Sequence, residues 1–212
     1  MTMIVALQLD AYVLIAADRR ETYQVNGEVA YVISDDRQKL IQWSGGIVTG
    51  SGYVPLLSEF KSKIADAKIT FVDEIIEIAQ ECCNNLSGDQ SEWKKTTNWL
   101  FTYGADSPEG EVSRVAFIKS QEPEGIHVLE VGESLIWAKI PDYKEELSNL
   151  KAKIRPEKDL SNINCSLSYH TEILKELYAY VAKVNPSVSE AFDCYLHSVE
   201  VRGMVPVEYW KT

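Results

Sequence analysis

Met1-Thr2-Met3-Ile4-Val5-Ala6-Leu7-Gln8 and Tyr12-Val13-Leu14-Ile15-Ala16-Ala17, separated by a short turn at Asp10-Ala11, decide the fold. Both runs are apolar at nearly every position. A strand with one wet face alternates apolar and polar residues, whereas an uninterrupted short apolar run fits a strand covered on both faces. The two runs predict strands over Met3 to Gln8 and Tyr12 to Ala17 in the interior of a layered structure. The second run stops abruptly at Asp18-Arg19-Arg20.

Further along, Glu28 to Ser34 and Leu40 to Trp43 read as weaker strands. Ser44-Gly45-Gly46 is a turn, and Ile47 to Thr49 is a short buried strand entering Gly50-Ser51-Gly52. Tyr53 to Ala65 is a predicted helix with Leu56, Leu57, Phe60 and Ile64 on one face. In the next predicted helix Val72, Ile75, Ile76, Ala79, Cys82, Cys83 and Leu86 recur at three and four, and Thr70 is placed to cap its start. Leu86 to Ser91 is a predicted loop. Asn98 to Gly104 and Val112 to Ser120 are predicted strands joined by a turn at residues 106–110, followed by Gly125 to Val131 and Ser134 to Ala138. The last third reads as largely helical: Asp142 to Lys153, a polar connection over Arg155 to Asn162, His170 to Val184, then Val188 to His197. Val205 to Trp210 is a final strand. Periodicity alone supports mixed α and β, with no internal repeat and no linker.

The chain has 212 residues, of which 45% are hydrophobic, which suits a single domain over 1–212 with a sizeable core. Its net charge of −11 repels phosphate backbones and argues against nucleic acid as a partner. No run is long enough to span a membrane and no secretory signal is visible, so the expected location is cytoplasmic. The cysteines Cys82, Cys83, Cys165 and Cys194 include no Cys-x-x-Cys spacing. The histidines His127, His170 and His197 form no helical pair. No metal and no other cofactor is expected.

Thr2 carries the chemistry. Its small side chain permits removal of Met1. The exposed threonine then holds a nucleophilic hydroxyl and its own base, the α-amine, on one residue. Such an amine titrates at about 7.7–8.0, so part of it is neutral near pH 7. Sixteen positions after Thr2 stands Asp18, followed by Arg19-Arg20; then come Asp36-Arg37-Gln38-Lys39-Leu40 and Gly50-Ser51-Gly52. In this order the motifs resemble the proteasome β-subunit family of N-terminal nucleophile hydrolases, which includes the simpler bacterial two-component protease. The likeness runs from Met1 to about Ile64.

The resemblance implies an α+β fold, a four-layer α-β-β-α sandwich. It also implies a threonine-type peptidase acting on peptides or unfolded protein inside a self-assembled ring, and it leaves an ATPase partner open. In the roles it implies, Thr2 Oγ attacks the carbonyl carbon and Lys39 favours the ionised hydroxyl. Asp18 pairs with Lys39, the Gly50 N–H faces the oxyanion, and Arg20 supports the acid. Gly50 would also let the backbone approach the substrate without a Cβ in the way.

Two departures weigh against catalysis. Where the family carries a serine that assists the amine, this chain reads Leu135-Ile136-Trp137-Ala138-Lys139-Ile140-Pro141. Where the family carries Asp-x-x-Ser-Gly, it reads His197-Ser198-Val199-Glu200-Val201-Arg202-Gly203, with Ser198 and Glu200 as substitutes. Two alternatives follow: a catalytically inactive proteasome-like structural or interaction subunit, and a small-molecule amidase on the same fold. Trp137, Tyr143 and Trp210 are candidate interface aromatics, although core packing is the commoner role for each.

Overall fold

A computed structural model describes residues 2–10, 12–25, 28–86, 95–108, 110–138, 144–155, 162–199 and 203–209. Met1, most of the predicted 86–91 loop, the starts of the connections at 139–143 and 156–161, Glu200, Arg202 and Trp210 lie outside them.

The two deciding runs form β1 (Ile4–Gln8) and β2 (Val13–Asp18), antiparallel with Ile4 opposite Ala17. Every residue in both strands is buried. Their pleat explains why. Val5, Leu7, Leu14 and Ala16 face one hydrophobic core, and Ile4, Ala6, Val13, Ile15 and Ala17 face another. Period-2 alternation still exists here, but both sides of it are apolar.

These strands are central in a sheet ordered β10-β1-β2-β11-β12, with β10 (Ser134–Trp137), β11 (Phe192–Ser198) and β12 (Gly203–Tyr209). A second five-stranded sheet runs β5-β6-β7-β8-β9. It contains β5 (Ile41–Trp43), β6 (Gly46–Ser51), β7 (Asn98–Ser107), β8 (Gly110–Lys119) and β9 (Glu122–Val128). Leu40, Ile47, Leu100 and Val115 meet the inner face of β1 and β2, closing the core between the sheets.

The outer faces are covered by helices. Leu56, Leu57, Phe60 and Ile64 of α1 (Val54–Asp66) and Ile75, Ala79, Cys82 and Cys83 of α2 (Val72–Asn85) pack on the second sheet around Trp99 and Phe101. Leu150 of α3 (Lys144–Lys153) and Ile173, Leu174, Leu177, Tyr178 and Val181 of α4 (Ile163–Val184) pack on the first. The result is helix, sheet, sheet, helix, the α+β four-layer sandwich.

Gln8 joins the sheets with polar bonds. Its amide nitrogen donates to Leu9 O (2.8 Å) and Ser113 O (3.0 Å), while Val115 N–H donates to Gln8 Oε1 at 3.0 Å.

Three expectations change, and one strand is new. Residues 188–197, read with the helices, contain strand β11 over most of that stretch; Phe192, Cys194 and Leu196 alternate into the helix-covered core. α4 begins at Ile163, seven residues before His170, and buries Ser166 in its extra turns. A strand missed in the sequence, β3 (Glu21–Val25), pairs with β4 (Glu28–Ser34) as a separate two-stranded ribbon. Thr70 does not cap α2 through its side chain: the N-cap is Phe71, and Thr70 instead donates its N–H to Glu74 Oε2 at 3.3 Å.

Candidate active site

Asp18 is the last residue of β2 and is fully buried. Three donors converge on its carboxylate. Lys39 Nζ and the Met3 N–H each reach Oδ1 at 2.8 Å, and the Arg20 N–H reaches Oδ2 at 3.0 Å. Ionised acceptors in short donor contacts make strong hydrogen bonds.

Lys39 precedes Leu40, whose side chain anchors the segment in the inter-sheet core. Its ammonium has a second acceptor, Arg20 O at 2.7 Å. Burial pushes the Lys39 pKa below that of an ordinary lysine, and the Asp18 carboxylate partly restores it.

A cavity of about 440 Å³ opens above this pair, and Thr2, Lys39 and Gly50 all border it. The N-terminal segment is tied to the acid through Met3 rather than through Thr2. Among the described residues the Thr2 hydroxyl makes no hydrogen bond, and the Lys39 ammonium is occupied by Asp18 and Arg20 O. The structure therefore brings Asp18 and Lys39 into direct contact and sets Thr2 and Gly50 on the wall of the same cavity.

Gly50 lies in β6 opposite Trp99. A Cβ there would overlap Leu57 Cδ2 and come within 2.7 Å of Asn98 O. The seating of α1 on the sheet is thus one structural reason for glycine at this position. Gly52 has φ +130°, a conformation that favours glycine, and turns the chain toward α1. Tyr53 follows, its N–H held by Thr97 Oγ1 at 2.9 Å.

Arg20 has a positioning role. Its guanidinium grips Asp35 with two bonds, Nε to Oδ1 at 2.6 Å and Nη2 to Oδ2 at 3.0 Å. Its Nη1 donates to Pro186 O and Val188 O at 3.2 and 3.3 Å. It thereby clamps the segment joining α4 to β11 against the end of β2.

That segment is what the sequence reading missed. β11 runs antiparallel to β2 with Phe192 opposite Asp18 and His197 opposite Val13. Ser198 therefore lies at the far end of the strand, roughly 20 Å from the acid at about 3.3 Å per residue, and is not a substitute for the family serine. Glu200 lies outside the described residues. The buried hydroxyl beside the end of β2 belongs to Ser189, just before β11, whereas the buried Ser187 Oγ accepts from Gln24 Nε2 at 3.2 Å. Ser189 Oγ accepts the Arg19 N–H at 3.1 Å and donates to Ala191 O at 2.6 Å. The signal is the Asn185-Pro186-Ser187-Val188-Ser189 run itself, which falls between the two stretches read as helical and extends into the start of the second.

In the other sheet-edge strand, Trp137 is opposite Ile4 and is in edge contact with Phe117, with centroids 5.8 Å apart. It packs on the inter-sheet core. That packing, rather than an interface, accounts for it in the chain as described; Tyr143 and Trp210 lie outside the described residues.

Lys61 of α1 is a second site cation that the sequence reading passed over. It borders the cavity and donates to Lys39 O at 2.7 Å, and burial with the nearby Lys39 and Arg37 charges lowers its pKa to about 8. Its position four residues after Leu57 and three before Ile64 put it at the margin of the buried helix face.

No protein-family model matches the chain, and no curated protein sequence matches it. Solved structures do. A mutant of Anbu from Hyphomicrobium sp. strain MC1 superposes with a TM-score of 0.63 at 15% identity, covering 98% of this chain and 88% of that one. Anbu, described as an ancestral β-subunit, from Yersinia bercovieri gives 0.62 at 15% identity, covering 97% and 87%. A further structure of Anbu from Hyphomicrobium sp. strain MC1 gives 0.62 at 14% identity. At this identity the likeness is one of fold, and the fold is the one these Anbu structures share.

Proposed function

We propose that the chain is a threonine-type peptidase whose nucleophile, Thr2, is exposed by removal of Met1, and that it works in a self-assembled ring. The observation that carries this reading is that Lys39, paired with the buried Asp18, borders the same cavity as Thr2 and Gly50. An acid and a lysine buried together, beside a hydroxyl on the wall of the same cavity, form a charge environment suited to a nucleophile.

In this mechanism the neutral α-amine of Thr2 takes the hydroxyl proton as Oγ bonds to the carbonyl carbon. The Gly50 N–H faces the resulting oxyanion. The amine returns the proton to the leaving nitrogen, the C–N bond breaks, and an ester on Thr2 Oγ remains. Water then attacks that ester by the same proton route, releasing the acid and restoring the hydroxyl. Lys39 supplies positive charge beside the hydroxyl, and Asp18 holds the lysine in place.

A second reading, an inactive structural subunit, is favoured by one specific observation: the Lys39 ammonium is bonded to Asp18 and Arg20 O and makes no bond to Thr2. One experiment separates the two. Protein isolated from its native cell is weighed intact, then treated with a peptide epoxyketone. The peptidase reading expects a mass lacking Met1 and an adduct on Thr2 that is lost in Thr2→Ala and kept in Thr2→Ser. A retained Met1, or an adduct that survives Thr2→Ala, leaves the structural-subunit reading.

A further inference from the structure

The cavity has two chemically different sides. Ile41, Val54 and Leu57 give it an apolar wall, whereas Arg37, Lys39 and Lys61 give it a cationic one, on a chain whose net charge is −11. Most of the charges around it are already matched. Lys39 pairs with Asp18 and Arg20 with Asp35, Asp36 contacts Arg19, and Glu21 lies 3.8 Å from Arg37. Lys61 is different. Its bond goes to a backbone carbonyl, Lys39 O, and among the described residues it has no carboxylate partner.

That carbonyl does not depend on Lys61, because the Thr49 hydroxyl also donates to it at 2.9 Å. The lysine is thus free to turn to another acceptor without stranding a buried group. A partly buried ammonium without an anion carries a desolvation cost, and an incoming carboxylate relieves it.

We propose that Lys61, with Arg37 beside it, selects peptides that place an acidic side chain in this cavity. The shape favours glutamate: its two methylenes lie along the Ile41 and Leu57 side while its carboxylate meets the two cations. This rests on reading the cavity as the place where peptide binds, but not on turnover.

The lowered lysine pKa gives the preference a pH dependence. Lys61 is charged below about 8 and loses its proton above it. The bound glutamate holds the proton on somewhat longer, so the preference fades over the unit or so above that value. Glu21 and Asp36, the carboxylates that also line the cavity, lie against Arg37 and Arg19 rather than against Lys61.

The test is equilibrium binding by calorimetry to Thr2→Ala protein, which lacks the nucleophile, using acetyl-Leu-Leu-Glu-amide and its glutamine counterpart. At pH 7 the glutamate peptide is expected to bind about tenfold more tightly, as a charge-assisted hydrogen bond warrants. The ratio is expected to shrink between pH 7 and pH 9.5, chosen as roughly a unit and a half above the lysine's pKa. Adding Lys61→Met, which keeps the aliphatic stem, removes most of the preference. Lys61→Arg keeps it and flattens its pH dependence. Equal binding of the two peptides, a preference untouched by Lys61→Met, or no binding of either peptide overturns the proposal. Labelling of Thr2 reports separately on the peptidase reading, so either can fail alone.

Discussion

Asp18 shows how much one carboxylate can hold. Replacing it with asparagine removes the negative charge beside the buried Lys39 ammonium and leaves it neutral acceptors such as Arg20 O. Removing one member of a buried ion pair costs about 3–5 kcal/mol, because the survivor is left uncompensated. Lys39→Met has a milder outcome, since Asp18 keeps the Met3 and Arg20 N–H donors. The double variant Asp18→Asn/Lys39→Met is therefore expected to be more stable than Asp18→Asn alone. Urea unfolding of the four proteins reads this directly, and penalties that simply add would show that the two side chains do not act as a pair. The sequence disclosed this couple because the residues stand at the ends of recognisable motifs. It concealed Lys61, which sits in the polar run Lys61-Ser62-Lys63 and differs from Lys63 only in the helix face it occupies. It also concealed Ser189, whose importance comes from a contact across the fold rather than from its neighbours in the chain.

The elements were legible in proportion to how strongly one period dominated. β1 and β2 stood out because burial on both faces makes them apolar throughout. β3 did not, because its residues alternate between partial burial and exposure and it packs on no major core. β11 was misread for a different reason. Val188, Ala191, Phe192 and Tyr195 recur at three and four like a helix face, while the period that matters is Phe192, Cys194 and Leu196. Pairing to the centre of a sheet decided between them. The junction of β6 with α1 offers a test of how tightly elements are seated. Gly50→Ala drives a methyl into Leu57 and toward Asn98 O, so α1 has to lift or the strand has to bend. Overpacking of this kind is expected to destabilise by about 1–3 kcal/mol. Gly50→Ala combined with Leu57→Ala makes room for that methyl, and the pair is expected to be less destabilised than the sum of the single changes. Strict additivity in thermal unfolding would mean that Leu57 is not what the new methyl meets.

At the scale of the molecule, the apolar runs of β1 and β2 disclosed a sheet covered on both faces, while the four-layer order came from the family resemblance. Assembly was not, since it depends on which apolar side chains remain wet after folding. The β3–β4 ribbon answers that among the described residues. Tyr23, Val25, Tyr31, Val32 and Ile33 are 50%, 49%, 57%, 43% and 53% exposed, and Tyr23 stacks on Tyr31 with centroids 5.1 Å apart. The ribbon is hydrogen-bonded to neither five-stranded sheet, and a lone two-stranded hairpin is marginal in water. Exposed apolar side chains concentrated on one projection gain most from being covered. If the chain forms the proposed ring, a neighbouring copy on this ribbon supplies that cover. Tyr31 and Ile33 lie two apart on the same side of β4, so Tyr31→Glu with Ile33→Glu places charge where the contact would dehydrate. Light scattering is expected to report a multi-subunit particle for the unaltered chain and a smaller one for the double variant, with the far-ultraviolet circular dichroism unchanged because the ribbon is no part of either core. A variant that assembles like the unaltered chain would clear the ribbon of this role. An unaltered chain that stays monomeric at working concentration would remove the ring, leaving a cavity that any diffusing peptide could enter without passing through an assembly.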